Sequence, residues 1–133
     1  MRGNYMQYAY NKSRMAEKES IDELLPLQPT SFHILLSLAD EDRHGYAIIQ
    51  DIARRTNGEI KLSAGTLYRS IQRLQEQGLI IENRTRPAPE EDDERRRYYR
   101  LTPLGKAAAH AEVRRLHELL KMARGCGVVP RLT

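Results

Sequence analysis

The stretch from Ser63 to Gly78 constrains this chain more than any other. Leu67, Ile71 and Leu74 are spaced four and three residues apart, a period that sets all three on one side of a helix. Ser63 supplies an N-cap oxygen ahead of them, and Gly78 supplies a residue able to turn left-handed behind them. At about 100° per residue, Gly65, Arg69, Gln72, Arg73 and Glu76 point roughly the opposite way. Thr66 lies beside that polar set, and Tyr68 flanks the other edge. The spacing therefore predicts a helix whose aliphatic side must be covered by other elements and whose arginine side is left for solvent or a partner.

The flanking sequence offers the covering elements. Thr30 or Ser31 is expected to cap a first helix bearing Phe32, Leu35, Leu36 and Ala39 at three-to-four spacing. Asp40 to Arg43 reads as a charged turn. A second helix is expected from about His44 to Thr56, with Tyr46, Ile49, Ile52 and Ala53 on one side and Asn57-Gly58 to stop it. A short extended piece, Glu59 to Leu62, leads into the third helix.

After Gly78 the pattern becomes strand-like. Leu79-Ile80-Ile81 runs into Glu82 to Arg86, and Arg95 to Leu101 contains Tyr98-Tyr99. Pro87-Ala88-Pro89 and the acidic run Glu90 to Glu94 lie between, so a hairpin with a charged tip is expected. Thr102-Pro103 is a helix start, a cap followed by proline in the first turn. Leu104, Ala108, Ala111, Leu116, Leu119, Leu120 and Ala123 mark that last helix, which ends near Gly125. Helix, helix, helix, hairpin, helix is the order of a winged helix-turn-helix, a mainly α fold with a small β-hairpin. The expected divisions are a partly flexible extension over residues 1–28 carrying Tyr5, Tyr8 and Tyr10, a winged domain over 29–101, a dimerisation helix over 102–125 and a tail over 126–133.

Composition narrows the function classes. The single cysteine, Cys126, permits neither an internal disulfide nor a multi-thiolate metal site. His33, His44, His110 and His117 include no pair at i, i+4, so no metal is expected. No Walker A run, Gly-x-Gly-x-x-Gly turn or nucleophile elbow is present, and the chain is read as a non-enzyme without a cofactor. The longest apolar run, Phe32 to Ala39, is broken by His33 and Ser37 and is far shorter than the ~20 residues of a membrane span. With no secretory-type segment in Met1 to Ser20, a cytoplasmic protein is expected. A net charge of +4 and a pI of about 9.4 favour a polyanionic partner.

A helix that reads DNA needs one face buried to fix its angle and one free to enter the major groove. Arg69 and Arg73 stand one turn apart on the free face, and arginine bonds a guanine edge or a phosphate. Ser63, Thr66 and Ser70 add hydroxyls near the end where amides favour phosphate. Alone, this pattern also fits an amphipathic helix with a merely solvated face. The hairpin carries Arg84, Arg86, Arg95, Arg96, Arg97 and Arg100, a self-repelling cluster that either phosphates or the adjacent acidic run would balance. A DNA-binding regulator and a winged-helix adaptor for other proteins both remain open on these residues. The last helix exceeds what a winged domain of ~70 residues requires. Its apolar stripe is expected to be buried against a second copy in a two-fold dimer, the rival being that it folds back on the first helix.

Several motifs together resemble one family. They are His44-Gly45-Tyr46, Leu62-Ser63-Ala64-Gly65-Thr66-Leu67-Tyr68, Arg73-Leu74-Gln75-Glu76-Gln77-Gly78-Leu79-Ile80, and Arg95-Arg96-Arg97-Tyr98-Tyr99-Arg100-Leu101-Thr102 with Gly105. In that order they are similar to the PadR-type transcriptional regulators, from Pro29 to about Arg124. The resemblance implies a homodimeric winged-helix repressor that binds a palindromic operator beside the genes it controls. It also implies a small aromatic or hydrophobic effector. By position, Tyr46, Ser63, Thr66, Tyr68 and Arg69 would contact DNA, with Arg95, Arg96 and Arg97 serving the wing. The C-terminal helix would exchange contacts between protomers. With one helix after the wing, the chain is similar to the compact subgroup. Some compact members stack a flat ligand on a tryptophan, and this chain has none.

Overall fold

The computed structural model describes residues 6–9, 11, 20–83 and 97–129. Its elements run α1 (Pro29–Ser37), β1 (Arg43–His44), α2 (Gly45–Arg55), α3 (Ala64–Glu76), β2 (Ile80–Asn83), β3 (Tyr98–Leu101) and α4 (Pro103–Gly125). The chain forms two compact units, residues 27–109 and residues 1–26 together with 110–133. The division passes through α4, and the first turns of that helix belong to the 27–109 unit.

In the 27–109 unit, α1, α2 and α3 pack pairwise around a shared aliphatic core. Ile34, Leu35 and Leu38 meet Ile48 and Ile52, Leu67, Ile71 and Leu74, and the entry to the sheet at Leu79 and Ile80, all of them buried. Helix α3 starts and stops as its sequence predicts. The Ser63 hydroxyl oxygen accepts from the Thr66 N–H at 3.2 Å, and Gly78 takes φ +75° beyond the helix. Asn57 and Gly58 likewise turn left-handed after α2, at φ 53° and 80°.

The other helices depart from expectation in instructive ways. Neither Thr30 nor Ser31 caps α1. Gln28 occupies the cap position, Pro29 follows it, and Ser31 is buried inside the helix. A proline in the first turn lacks the N–H that a cap would otherwise satisfy, which moves the start upstream. Helix α2 turns Ile48, Asp51 and Ile52 inward with Gly45, whereas Tyr46 is 62% exposed. The expected inward set of Tyr46, Ile49, Ile52 and Ala53 is thus rotated by about one residue, ~100° around the helix. Its N-cap is His44, whose Nδ1 accepts from the Ala47 N–H at 3.2 Å.

Asp51 is a buried carboxylate that compensates with charge. Arg54 and Arg55 both donate to it, Arg55 Nε at 2.8 Å, and Arg43 lies 3.7 Å away. The residues read as a turn before α2 also contribute a strand. β1 pairs antiparallel with β3 through Arg43↔Tyr99 and His44↔Tyr98, giving a sheet of order β1-β3-β2. β2 and β3 form the expected hairpin arms, in register from Ile80↔Leu101 to Asn83↔Tyr98. Where the sheet ends, Thr102 locks α4 in place. Its hydroxyl donates to the Gly78 carbonyl at 2.6 Å and accepts from the Gly105 N–H at 3.0 Å. Any side chain at Gly105 would collide with the Leu79 carbonyl, so this close approach requires glycine.

In the other unit, Glu112 of α4 is buried and held by Arg115 through bonds of 2.6 and 2.9 Å. Beyond it the helix exposes its large apolar residues. No described helix is long and apolar enough to cross a membrane.

Candidate nucleic-acid interface

The outward face of α3 is built by what lies beneath it. Leu67 and Leu74 are fully buried and Ile71 is 2% exposed, which fixes the helix about its axis and leaves Ser63, Arg69 and Arg73 exposed. Thr66, Tyr68 and Ser70 are half-buried at the margins. At the N-terminal end the Ser63 hydroxyl also donates to Thr66 Oγ1 at 3.0 Å, and nothing stands within 4 Å of where a Gly65 Cβ would be. The first turn is therefore open to a large partner.

Tyr68 joins this helix to α2. Its hydroxyl lies 2.6 Å from where a Gly45 Cβ would be, so a larger residue at 45 would push the tyrosine ring aside. Tyr46, the next residue, projects from the first turn of α2. The sequence-predicted Tyr46, Ser63, Thr66, Tyr68, Arg69 and Arg73 thus lie on or beside the surface of the two-helix unit.

Charge pairing divides the described arginines into two groups. Arg43, Arg54, Arg55, Arg97, Arg100 and Arg115 each meet a carboxylate within 4 Å. Among the described residues Arg69, Arg73, Arg114 and Arg124 do not, and of these Arg69 and Arg73 lie on α3. The Arg69 Nε donates to the backbone oxygen of Gly65 at 3.3 Å, and Arg73 Nη1 donates to the side-chain oxygen of Gln28 at 2.9 Å. Both keep an uncancelled positive charge at the surface. Gln28 had no local signal, because it lies 45 residues from the arginine it holds.

At the base of the wing two arginines meet acids of the same unit. Arg97 lies 3.4 Å from Glu82, and Arg100 lies 3.1 Å from Asp42, a carboxylate to which Asn83 also donates. Among the described residues these two arginines are balanced by acids on the sheet and the turn before it. Arg84, Arg86, Arg95 and Arg96, with the run Glu90 to Glu94, lie outside the described residues.

The stripe expected to form a dimer interface divides in two. Ala108 is fully buried within the single chain, and Leu104 is half-buried beside Gly78. Ala111 and Ala123 are half-buried, while Leu116, Leu119 and Leu120 are exposed, joined by Val113 and Met122. Among the described residues no three His, Cys, Asp or Glu side chains cluster to hold a metal ion.

Residues 34–111, more than half of the chain, match the transcriptional regulator PadR-like family. A transcriptional regulator of Mycobacterium tuberculosis is 36% identical over 93 residues, covering 70% of this chain and 80% of that protein. An uncharacterized protein of Lysinibacillus sphaericus is 39% identical over 74 residues, and the chain spans 65% of its length. In three dimensions the chain is similar to a PadR family transcription regulator from Clostridium difficile, at 24% identity and TM-score 0.60, over 74% of this chain and 97% of that one. It is also similar to PadR of Bacillus subtilis, solved in complex with operator DNA, at 20% identity and TM-score 0.55 over 65% of this chain and 47% of that one. At these identities the two structures share the fold with this chain.

Proposed function

The chain belongs to the PadR-like family of transcriptional regulators, and from that premise we propose that it acts as a homodimeric, sequence-specific DNA-binding repressor of adjacent genes. The observation that carries this reading is the exposure of Arg69 and Arg73, without a carboxylate partner among the described residues, above the fully buried Leu67 and Leu74. In the dimer, two copies of α3 enter successive major grooves ~34 Å apart on a palindromic operator. Arg69 and the hydroxyls of Ser63 and Thr66 face the groove, Tyr46 and Tyr68 flank it, and Arg95, Arg96 and Arg97 bring the wing to the phosphates. Leu116, Leu119 and Leu120 supply the contact between protomers. The complex of Bacillus subtilis PadR with operator DNA supports the same use of the shared fold.

A small aromatic or hydrophobic effector would act by changing the angle between protomers, so that both helices no longer fit the grooves together. The test is fluorescence anisotropy with a promoter fragment from the protein's own gene, for the wild type and the Arg69→Ala, Arg73→Ala double variant. Loss of binding with the dimer intact is expected, along with a steep fall in wild-type affinity as salt is raised. The pairing of Arg97 and Arg100 with acids favours a second reading, an adaptor whose wing meets another protein. On that reading the double variant would not alter binding to any nucleic acid.

A further inference from the structure

We propose that Gln28 is a positioning residue for the DNA-contacting surface: its side-chain oxygen holds Arg73 ready for a DNA phosphate without cancelling the arginine's charge. The proposal rests on the DNA-binding reading above and goes beyond it, because Gln28 sits at the start of α1 rather than on α3 and is not itself a contact.

Three observations converge on it. Gln28 stands at the cap position of α1, yet its side chain makes no cap bond to that helix. It reaches instead across 45 residues of sequence to Arg73 Nη1 at 2.9 Å. Glutamine is a poor N-cap, so this position gives little to α1 and its side chain is committed elsewhere. Next, Arg73 sits in the last turn of α3. Recognition helices reach base edges with their N-terminal residues. A guanidinium ten residues beyond Ser63, ~15 Å along the axis, is therefore suited to the sugar–phosphate backbone.

The third observation is the chemistry of the acceptor. Six other described arginines are oriented by carboxylates, which fix the side chain but neutralise it. An amide oxygen orients the guanidinium and leaves its full charge and remaining N–H groups for a phosphate. Holding the long side chain beforehand also lowers the ordering cost when DNA binds. Gln28 and Arg73 are both exposed, so the pairing has little bearing on folding.

The experiment measures affinity for the promoter fragment, and for a mixed-sequence duplex of equal length, across a salt series. The proteins are wild type, Gln28→Ala, Gln28→Glu, Arg73→Ala, the Gln28→Ala, Arg73→Ala double variant and Arg69→Ala, with thermal melting as the folding control. Arg73→Ala is expected to weaken both duplexes alike and to lower the salt slope by about one. Gln28→Ala is expected to weaken binding about 2- to 10-fold, the range a single hydrogen bond commands, and to have no effect once Arg73 is alanine. Gln28→Glu should grip Arg73 more tightly yet bind DNA more weakly, with the slope lowered as in Arg73→Ala. Independent, additive effects of Gln28→Ala and Arg73→Ala overturn the proposal, as does wild-type binding by Gln28→Glu. Arg69→Ala separates the two levels. If it abolishes promoter binding while the Gln28 variants behave as wild type, only the Gln28 assignment fails. If the wild type binds neither duplex in a salt-dependent way, the DNA reading fails and takes this assignment with it.

Discussion

Helix α3 and the outer half of α4 both carry leucines at helical spacing, and they dispose of them in opposite ways. In α3 the aliphatic side is covered by α1, α2 and β2, leaving Leu67 and Leu74 with no exposed surface. In α4, Leu116, Leu119 and Leu120 remain 40%, 50% and 42% exposed. Burying a leucine fully is worth roughly 1.5–3 kcal/mol, so three half-exposed ones leave several kcal/mol available to whatever covers them. The hydrophobic period announces that a helix has a side avoiding water. It does not say whether the same chain or a second copy provides the cover. In α3 the covered side is what makes the polar side functional, since it fixes which way Arg69 and Arg73 face. In α4 the uncovered side is itself the candidate contact.

The sharpest way to break this contrast is to charge the uncovered side. Leu116→Glu or Leu120→Glu is expected to give monomers in sedimentation and to abolish operator binding, because a single winged unit reaches one half-site. An unaltered dimer would move the interface off α4. Truncation then distinguishes the two leucine sets by size. Leu74→Ala should lower unfolding free energy by about 2–5 kcal/mol in denaturant titration. Leu119→Ala, measured at concentrations where the chain is monomeric, should stay within about 0.5 kcal/mol of wild type. Equal losses would show that α4 is already covered within its own chain.

Smaller effects probe the polar side. Arg69→Ala should weaken operator binding by roughly 1–3 kcal/mol and relax sequence preference, as read by anisotropy on point-substituted operators. Weakening that is uniform over all sequences would reassign Arg69 to the phosphates. Ser63→Ala removes the α3 cap and should cost about 1 kcal/mol in thermal unfolding, with a further loss in DNA affinity if its hydroxyl also meets the operator.

Legibility in the sequence followed the range of each interaction. Ser63, Thr102 with Pro103, Asn57-Gly58 and Gly78 act within a turn of their own position, and the structure places every one where its local chemistry indicates. The exposed arginine face of α3 was legible for the same reason, because three aliphatic residues at one period fix the opposite face. The start of α1 was misplaced, since Thr30 and Ser31 compete with the proline signal at Pro29. The inward side of α2 was misjudged because Ile48 and Ile49 are adjacent, and only the packing against α1 and α3 selects Ile48. Strand β1 is two residues long and carries no period at all; pairing with β3 defines it.

The charged groups mark the same boundary. Eight arginines in a row of motifs look alike on paper, yet Arg97 and Arg100 are tied to Glu82 and Asp42 whereas Arg73 is tied to Gln28. Amino-acid order alone determined the helices, their stops and the polar face of α3, because caps, glycine turns and periodicity act over distances of a few residues. The partners of those side chains were decided only by tertiary structure: the acid or amide facing each guanidinium, and the leucines a single chain covers. Electrostatic and hydrophobic contacts depend on proximity in space, and folding brings together groups separated by dozens of residues.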